Sequence, residues 1–589
     1  MARFLTAVVA HLPGVARLRG YRRPWLRADL LAGITVAAYL IPQCMAYAEL
    51  AGLPPIAGLW AILAPLLLYA LVGSSPQLSV GPESTTAVMT AAAVAPLAAG
   101  NPASTAGLAS LLALLVGLFC CLGAWGRLGF LADLLSKPIL VGYMAGVAVI
   151  MITGQIGKVT GVALESETLP GQLRELLQRP GAIHGPTLLL AAAVLALLIG
   201  LHRHWPRAPG PLLAVLLATA VVALFHLDQR GVAVIGAIPA GFPQLSWPAL
   251  PPPEQLRSLV ASALGIALVG YSDNVLTARS FATRNGYRID ANQELLALGT
   301  VNLGNGLLQG FPVSSSGSRT AIADALGNRS QLYALVAFAS VVVVLLVLRP
   351  LLVLFPKAAL GAIVIYAALR LIDIPEFLRM RAFKRSEFRL ACLTLLGVLL
   401  TDILVGVALA VGLSVLDLFA RLVRPNDAVL GEVPGLAGLH DVADWEGAST
   451  IPGLLIFRYD APLCFANAEH FRRRVWEAIA AEPAKAEWVV LSAEAILDID
   501  ITAADMLAEL HQELREQGIV LALARVKQDL FGALRRTGFP DQIGSQWFFP
   551  TLAEAIAAFR ARPRAAAPST GPPPPDRRPP AAAAGAGSA

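Results

Sequence analysis

From residue 29 to about residue 425 the chain repeats one pattern, long apolar stretches parted by short polar breaks. A helix that crosses a bilayer needs about 20 mostly apolar residues. Segments 30–51, 56–73, 105–125, 137–156, 186–203, 210–226, 257–278, 291–308, 330–348, 357–372 and 388–423 reach or approach that length, and the last is long enough for two spans. Two more, 83–98 and 317–327, are too short or too interrupted to cross as ordinary helices. The first follows Gly81-Pro82, the second Phe311-Pro312-Val313-Ser314-Ser315-Ser316. Counting both gives fourteen elements in two sets of seven, about 29–227 and 256–425, divided by the Pro-rich stretch 239–253. The interrupted segment is third in each set. Because seven is odd, the second set enters the membrane inverted. A matched pair of interrupted segments in inverted halves points to a transporter's binding site.

Beyond residue 440 the pattern changes. Leu454–Arg458, Trp488–Leu491 and Ile519–Ala524 read as strands, and Ala468–Ala481, Thr502–Gln517, Gln528–Thr537 and Thr551–Arg560 as helices. Strand and helix in turn predict a small α/β domain over 440–562. Residues 563–589 are rich in Pro and Ala, cannot bury a core and are expected to be disordered. Residues 1–28 hold Arg17, Arg19, Arg22, Arg23 and Arg27 but no long apolar run with a cleavage site, so they are expected to stay as a cytosolic segment.

Composition narrows the class. Of 589 residues, 56% are hydrophobic and 14% charged, against about 25% charged in soluble domains. Mean hydropathy is +0.66. These values exclude a soluble enzyme, a disordered chain and a nucleic-acid binder. The net charge of +6 is then read as basic residues in cytoplasmic loops. With the N-terminus inside, those loops hold Arg127, Lys137, Arg203, Arg207, Arg279, Arg284, Arg288, Arg379, Arg381, Lys384, Arg385 and Arg389. The opposite loops hold fewer: Lys158, Arg174, Arg179, Arg230, Arg257, Arg349 and Lys357. The bias places both termini in the cytoplasm of a bacterial inner membrane. The five cysteines lack metal-ligand spacing and read as small buried hydrophobes.

Candidate chemistry lies in the interrupted elements. In the first span Pro42 removes a helix hydrogen bond and predicts a local break, with Gln43 and Tyr47 four apart on one face. Gly81-Pro82-Glu83-Ser84 and Ser316-Gly317-Ser318-Arg319 both look like helix starts. Facing helix N-termini carry partial positive charge and free N–H donors, and Arg319 adds a full charge, so the pair suits a small anion. Acids inside the membrane segments are costly and mark a partner or a cavity. Asp273 and Thr277 lie four apart and could present oxygen ligands to a cation such as Na+. Glu83 beside an anion site either carries a proton, pairs with Arg319, or caps its own helix. No P-loop, dinucleotide fingerprint or catalytic triad supports an enzyme.

Four motifs carry a resemblance to a known family: PQxxAYAxLAGLPPxxGL from Pro42 to Leu59, GSS with VGPE from Gly73 to Glu83, GYRIDANQELLALGxxN from Gly286 to Asn302, and GFPVSSSGSRT from Gly310 to Thr320. They closely resemble the SulP family of anion transporters, over about residues 15–562. The resemblance implies an α-helical polytopic membrane protein with fourteen segments in a 7+7 inverted repeat of core and gate domains, a cytosolic STAS domain, and a homodimer. It further implies an anion pocket lined by Gln43, Tyr47, Gly81, Pro82, Glu83, Ser318 and Arg319; Ser84, Ser316 and Gly317 join them at the helix starts. Asp273 and Thr277 match a sodium-binding pair of a bicarbonate-transporting relative, while Glu83 replaces a residue that is commonly apolar. Asp498 to Ala504 looks like the STAS loop in which relatives carry a phosphorylated serine at the position of Thr502; here Thr502 is expected to be an N-cap, with a regulatory role as the alternative. The expected function is transport of a small inorganic anion, sulfate first, coupled to H+ or Na+. Bicarbonate, C4-dicarboxylates, an anion channel or exchanger, and a STAS-based sensor are the alternatives.

Overall fold

The computed structural model describes residues 12–562, apart from 99–100, 134–135, 165, 167–168, 206–207, 237–240 and 402. The expected tail, the first eleven residues and Arg207 lie outside the described residues. The chain forms two compact units, Met1–Val415 and Leu416–Ala589.

The first unit is helical. Its principal helices are α1 Leu26–Leu50, α2 Pro55–Val72 with an irregular step at Ile62, α3 Ser84–Ala98, α4 Pro102–Trp125, α5 Lys137–Thr153, α6 Gly185–His204 and α7 Gly210–Leu224. The second set is α8 Pro253–Asn285, α9 Ala291–Leu307, α10 Gly317–Ala325, α11 Leu332–Val347, α12 Lys357–Leu371, α13 Arg385–Leu400 and α14 Ile403–Val423. Among the described residues seven helical stretches are long and apolar enough to cross a membrane, and α3, α7 and α11 are shorter apolar helices. The long stretch 388–423 divides into α13 and α14 where Thr401 turns extended. The two sets interleave: α1 packs on α10, α11 and α12, α4 on α9, α5 on α13, and α6 on α12. Small residues permit the closest approach. A Cβ on Gly117 of α4 would sit 2.8 Å from the Gly299 carbonyl of α9, the small-residue contact typical of helices packed in lipid.

Pro42 does not break its helix. α1 runs unbroken through it. Proline costs only the bond to the carbonyl four residues earlier, and dense packing holds the rest. Residues Ile41 to Ala48 are all buried, and at Gly58 the following helix lies so close that a Cβ would meet the Cys44 carbonyl at 1.9 Å.

The interrupted elements meet. Before α3, Val80–Gly81 forms strand β1; before α10, Ser314–Ser315 forms β2. They pair antiparallel, Val80 opposite Ser315 and Gly81 opposite Ser314. The Ser316 N–H donates to the Ser79 carbonyl at 2.8 Å and extends the pairing. Asn302 of α9 holds the approach to β2: its Oδ1 accepts from the Val313 N–H at 2.9 Å and its Nδ2 donates to the Val313 carbonyl at 3.1 Å. Glu294, one helix face away and fully buried, accepts from the Tyr69 hydroxyl, the Ser74 N–H and hydroxyl, and the Asn274 amide. It joins α2, α8 and α9 through neutral donors alone.

The second unit contains a six-stranded sheet. In chain order the strands are β3 Asp427–Glu432, β4 Leu439–Asp441, β5 Leu454–Tyr459, β6 Trp488–Ser492, β7 Val520–Ala524 and β8 Phe548–Phe549. Their spatial order is β4-β3-β5-β6-β7-β8. β3 runs antiparallel to β4 and β5, while β5 to β8 run parallel. Helices α15 Ala468–Ala481, α16 Ile501–Glu516 and α17 Gln528–Arg536 cover one face, and α18 Leu552–Ala561 the other. The three strands and four helices read from the sequence are present; β4 and β8 are short strands at the two edges, and the six-residue β3 lies before residue 440, the expected start of the domain. Thr502 is not the cap of α16. Asp500 is, and its carboxylate accepts from the Ala503 N–H at 2.8 Å. Thr502 is already helical and exposed in the first turn, because the carboxylate reaches the third amide first.

Replacing Asn302 by Leu strands the Val313 N–H and carbonyl without partners. At about 1–3 kcal/mol for each buried unpaired group, Asn302→Leu is expected to lower thermal stability in detergent, read as the midpoint of unfolding. An unchanged midpoint would show that Asn302 does not hold β2.

Candidate anion-binding site

At the crossing of β1 and β2 two helix starts are brought side by side. Each start carries roughly half a positive charge. The two starts differ in how they are satisfied. At α3 the Glu83 carboxylate accepts from the Thr85 N–H at 2.8 Å and from the Ser84 hydroxyl at 2.8 Å. The chain's own acid therefore caps α3. At α10 no side chain caps the helix; the Ser316 and Ser318 hydroxyls bond each other at 3.2 Å. A Cβ placed on Gly317 would meet nothing within 4 Å, so the first turn of α10 opens onto space.

Arg319 sits beneath this crossing, fully buried. Its Nη1 donates to the Pro82 carbonyl at 2.8 Å and to Gln43 Oε1 at 3.2 Å, and its Nε to the Ser79 hydroxyl at 3.3 Å. Nη2 has no acceptor, and it lies 3.2 Å from where a Cβ on Gly81 would stand. A side chain at position 81 would crowd both Ile62 Cδ1, at 2.1 Å, and this guanidinium. Arg319 makes no ion pair with Glu83 within 4.0 Å; carbonyl and amide oxygens take its donors instead. Gln43 completes the chain of bonds by donating from Nε2 to the Tyr47 hydroxyl at 2.9 Å, and both residues are buried.

α8 brings the second acid. It passes the crossing at Gly270, whose Cβ would lie 3.5 Å from Ser314 Cβ and 3.8 Å from Thr86 Cγ2. One turn on, Asp273 is half-buried and accepts from the Ser315 hydroxyl at 3.0 Å. Thr277 follows on the same face, half-buried, its hydroxyl making no hydrogen bond among the described residues. Gln43, Tyr47, Gly81, Pro82, Glu83, Ser84, Ser316, Gly317, Ser318, Arg319 and Asp273 thus stand around one crossing, and Thr277 lies one turn away. Asn302 and Glu294 hold the scaffold behind it. Both lie inside the Gly286-to-Asn302 motif, yet a buried amide or acid in a helix does not announce its partners.

Beside the site is a cavity of about 290 Å³ that reaches Ser318 from between α1, α6 and α12. Across the other end of α1, Glu49 pairs with Lys158 at 3.1 Å.

The chain matches the model of the sulfate permease family over residues 26–394 and that of the STAS domain over residues 448–555. A probable sulfate transporter of Mycobacterium tuberculosis (strain ATCC 25618 / H37Rv) is 54% identical over 552 residues, 93% of this chain and 98% of its own. The chloroplastic sulfate transporter 4.1 of Arabidopsis thaliana is 30% identical over 559 residues, covering 92% of this chain and 81% of its own. Among solved structures, murine Slc26a9, an anion transporter in the inward-facing state, aligns with a TM-score of 0.85 at 23% identity over 95% of both chains. The transmembrane domain of the cyanobacterial bicarbonate transporter BicA aligns with a TM-score of 0.60 at 24% identity, over 66% of this chain and 98% of that one. These two share the fold: fourteen segments in a 7+7 inverted repeat. The chain belongs to the sulfate permease family and carries a STAS domain behind its membrane unit.

Proposed function

We propose that this protein is a secondary active transporter that moves sulfate across a bacterial inner membrane together with protons, by alternating access around the β1–β2 crossing. The observation that carries this reading is the pair of helix starts at the crossing, with the uncapped one facing open space. Such a start offers N–H donors and positive potential, which suit an oxyanion and need no catalytic side chain. The sulfate assignment takes support from the relatives' names. Both termini lie in the cytoplasm, the working unit is a homodimer in the bilayer, and the STAS domain regulates or packs that dimer, with Thr502 as its exposed hydroxyl.

Proton coupling rests on Glu83 and Asp273. Neither has a basic partner within 4.0 Å, and each stands beside the place proposed for a divalent anion. Two carboxylates there repel the substrate while ionised. A proton taken up with the anion removes one of these charges, and its release on the far side restores it. Glu83 also occupies the α3 start that an anion would use, so its protonation frees those donors. Sodium is the second reading: Thr277 leaves a free hydroxyl one turn from Asp273, whose carboxylate has a single donor.

Labelled sulfate is expected to enter proteoliposomes saturably, faster when the outer solution is the more acidic, and with excess unlabelled bicarbonate or succinate competing weakly. Stimulation by a sodium gradient alone would select the second reading. Uptake of labelled bicarbonate or succinate without sulfate would overturn the substrate. Glu83→Gln keeps the shape and removes the charge; it is expected to lower the half-saturating sulfate concentration at neutral pH and flatten the response to pH. An unaltered pH profile would remove Glu83 from coupling. Arg319→Ala cuts three bonds of the brace, and one bond to a charged group is worth about 1.5–3 kcal/mol. It is expected to weaken sulfate binding by about tenfold or more, measured as half-saturation of uptake on protein that still elutes as the parent does. Unchanged affinity would sink the site.

A further inference from the structure

The cavity beside α10 holds charges that the central site does not use. Its lining includes Tyr39, His202, Trp205, Ser318, Tyr366 and Arg370, and holds no carboxylate among the described residues. Arg370, in the last turn of α12, is exposed and makes no hydrogen bond or ion pair among the described residues. Lys137, Lys158 and Arg284 of the same unit do pair with acids, namely Glu376, Glu49 and Asp324. His202, in the last turn of α6, stands edge-on to Tyr366, ring centroids 6.3 Å apart. Trp205, 71% exposed, marks the mouth.

The depth of the cavity follows from α1. Tyr39 lines it, and Gln43, bonded to Arg319, lies four residues further along the same helix. At 1.5 Å per residue that is about 6 Å. The cavity floor is Ser318, in the open first turn of α10. An unpaired guanidinium at the rim and an uncapped helix start at the floor set a positive potential along one short path. Apolar walls such as Leu198, Leu201 and Ile322 concentrate such a field. A planar fork of donors held free of protein acceptors suits an oxyanion bound through two oxygens.

We propose that Arg370 and His202 form a second anion-binding site, a capture site for oxyanions at the cavity mouth, about one helical turn outside the crossing. It rests on the transport reading given above and adds a step to it. The anion is held first by Arg370, with His202 as a neutral or charged donor, and then passes inward to the α10 start. By the charge bias of the loops this mouth faces the cytoplasm, so the site acts on anions that enter or leave on that side.

The test uses the full-length protein in vesicles of phosphatidylcholine alone, so that no anionic headgroup can fill the site. Arg370→Gln is expected to raise the half-saturating sulfate concentration about tenfold for flux that starts at the cavity mouth, and less for flux that starts on the opposite face. The parent's half-saturation should rise with ionic strength more steeply than that of the variant, and Arg370→Lys should recover part of the loss. Equal changes on both faces, or none, would overturn the proposal. So would an effect of Arg370→Gln that appears only when anionic lipid is added, which would assign the arginine to a lipid phosphate. A second readout does not depend on transport. Iodide quenching of Trp205, taken as the difference between parent and Trp205→Phe, should be relieved by sulfate and reduced by Arg370→Gln, with quenching by neutral acrylamide unchanged. If the parent carries no sulfate, the transport reading fails while the iodide measurement still decides the capture site; iodide quenching indifferent to Arg370 rejects it.

Discussion

Two residues of antiparallel strand, Val80–Gly81 against Ser314–Ser315, impose the constraint that organises the membrane unit. Backbone outside a helix cannot be left unpaired at membrane depth. The crossing pairs part of it, and side chains finish the work: Arg319 takes the Pro82 carbonyl, Asn302 takes both polar groups of Val313, and the Thr320 hydroxyl accepts from the Ser79 N–H at 3.0 Å. Each of these side chains comes from the second set of seven helices, and two of them reach into the first. The inverted halves are thereby locked at the point where both helices are interrupted. A fixed crossing is what lets two short helices present their starts at a set spacing.

The same crossing accounts for the different chemistry of its two ends. α3 is capped by Glu83 from within, and α10 is left open. Arg319 contributes its charge to both while spending three of its bonds on structure. An arginine wholly committed to the fold would leave no donor over, but Nη2 is unspent. The brace and the anion field are therefore one residue, and a lysine, with a point charge and no fork, could not supply the same geometry.

Much of this was legible in the chain. Apolar periods gave the helices, including the split of 388–423, and the serine and Gly-Pro breaks marked the interrupted pair. Helix-start signals marked Glu83, Ser316 and Arg319, because capping is a local rule, and the matched places of the two starts in inverted halves brought them together. Partners distant in sequence were not legible. Nothing at Arg319 announces the Pro82 carbonyl, and nothing at Arg370 announces the absence of an acid across the cavity. Pro42 misled for the reverse reason: a local rule predicted a break that packing against Gly58 overrides. At Asp500 and Thr502 both residues are competent caps, and the choice fell to the carboxylate, which bonds the Phe465 N–H as well as that of Ala503.

The acids of the membrane unit separate by how their oxygens are satisfied. Asp29 and Glu294 are fully buried, and donors from other elements surround them. Asp29 accepts from the Arg329 N–H, the Ser330 hydroxyl and the Tyr21 hydroxyl, and Glu294 from Tyr69, Ser74 and Asn274. A buried carboxyl with that many donors ties several elements of the fold together, and removing it would strand them all. Glu83 and Asp273 are half-buried instead. Glu83 draws its donors from the two residues that follow it, and Asp273 has the Ser315 hydroxyl alone. Ser84 and Ser315 are hydroxyl partners, which can turn to accept where they now donate. The partners of Glu83 and Asp273 are few and near in sequence or single, whereas those of Asp29 and Glu294 are drawn from several elements. A carboxylate that works by changing charge needs loose, reversible partners, and the hydroxyls of Ser84 and Ser315 offer them to Glu83 and Asp273.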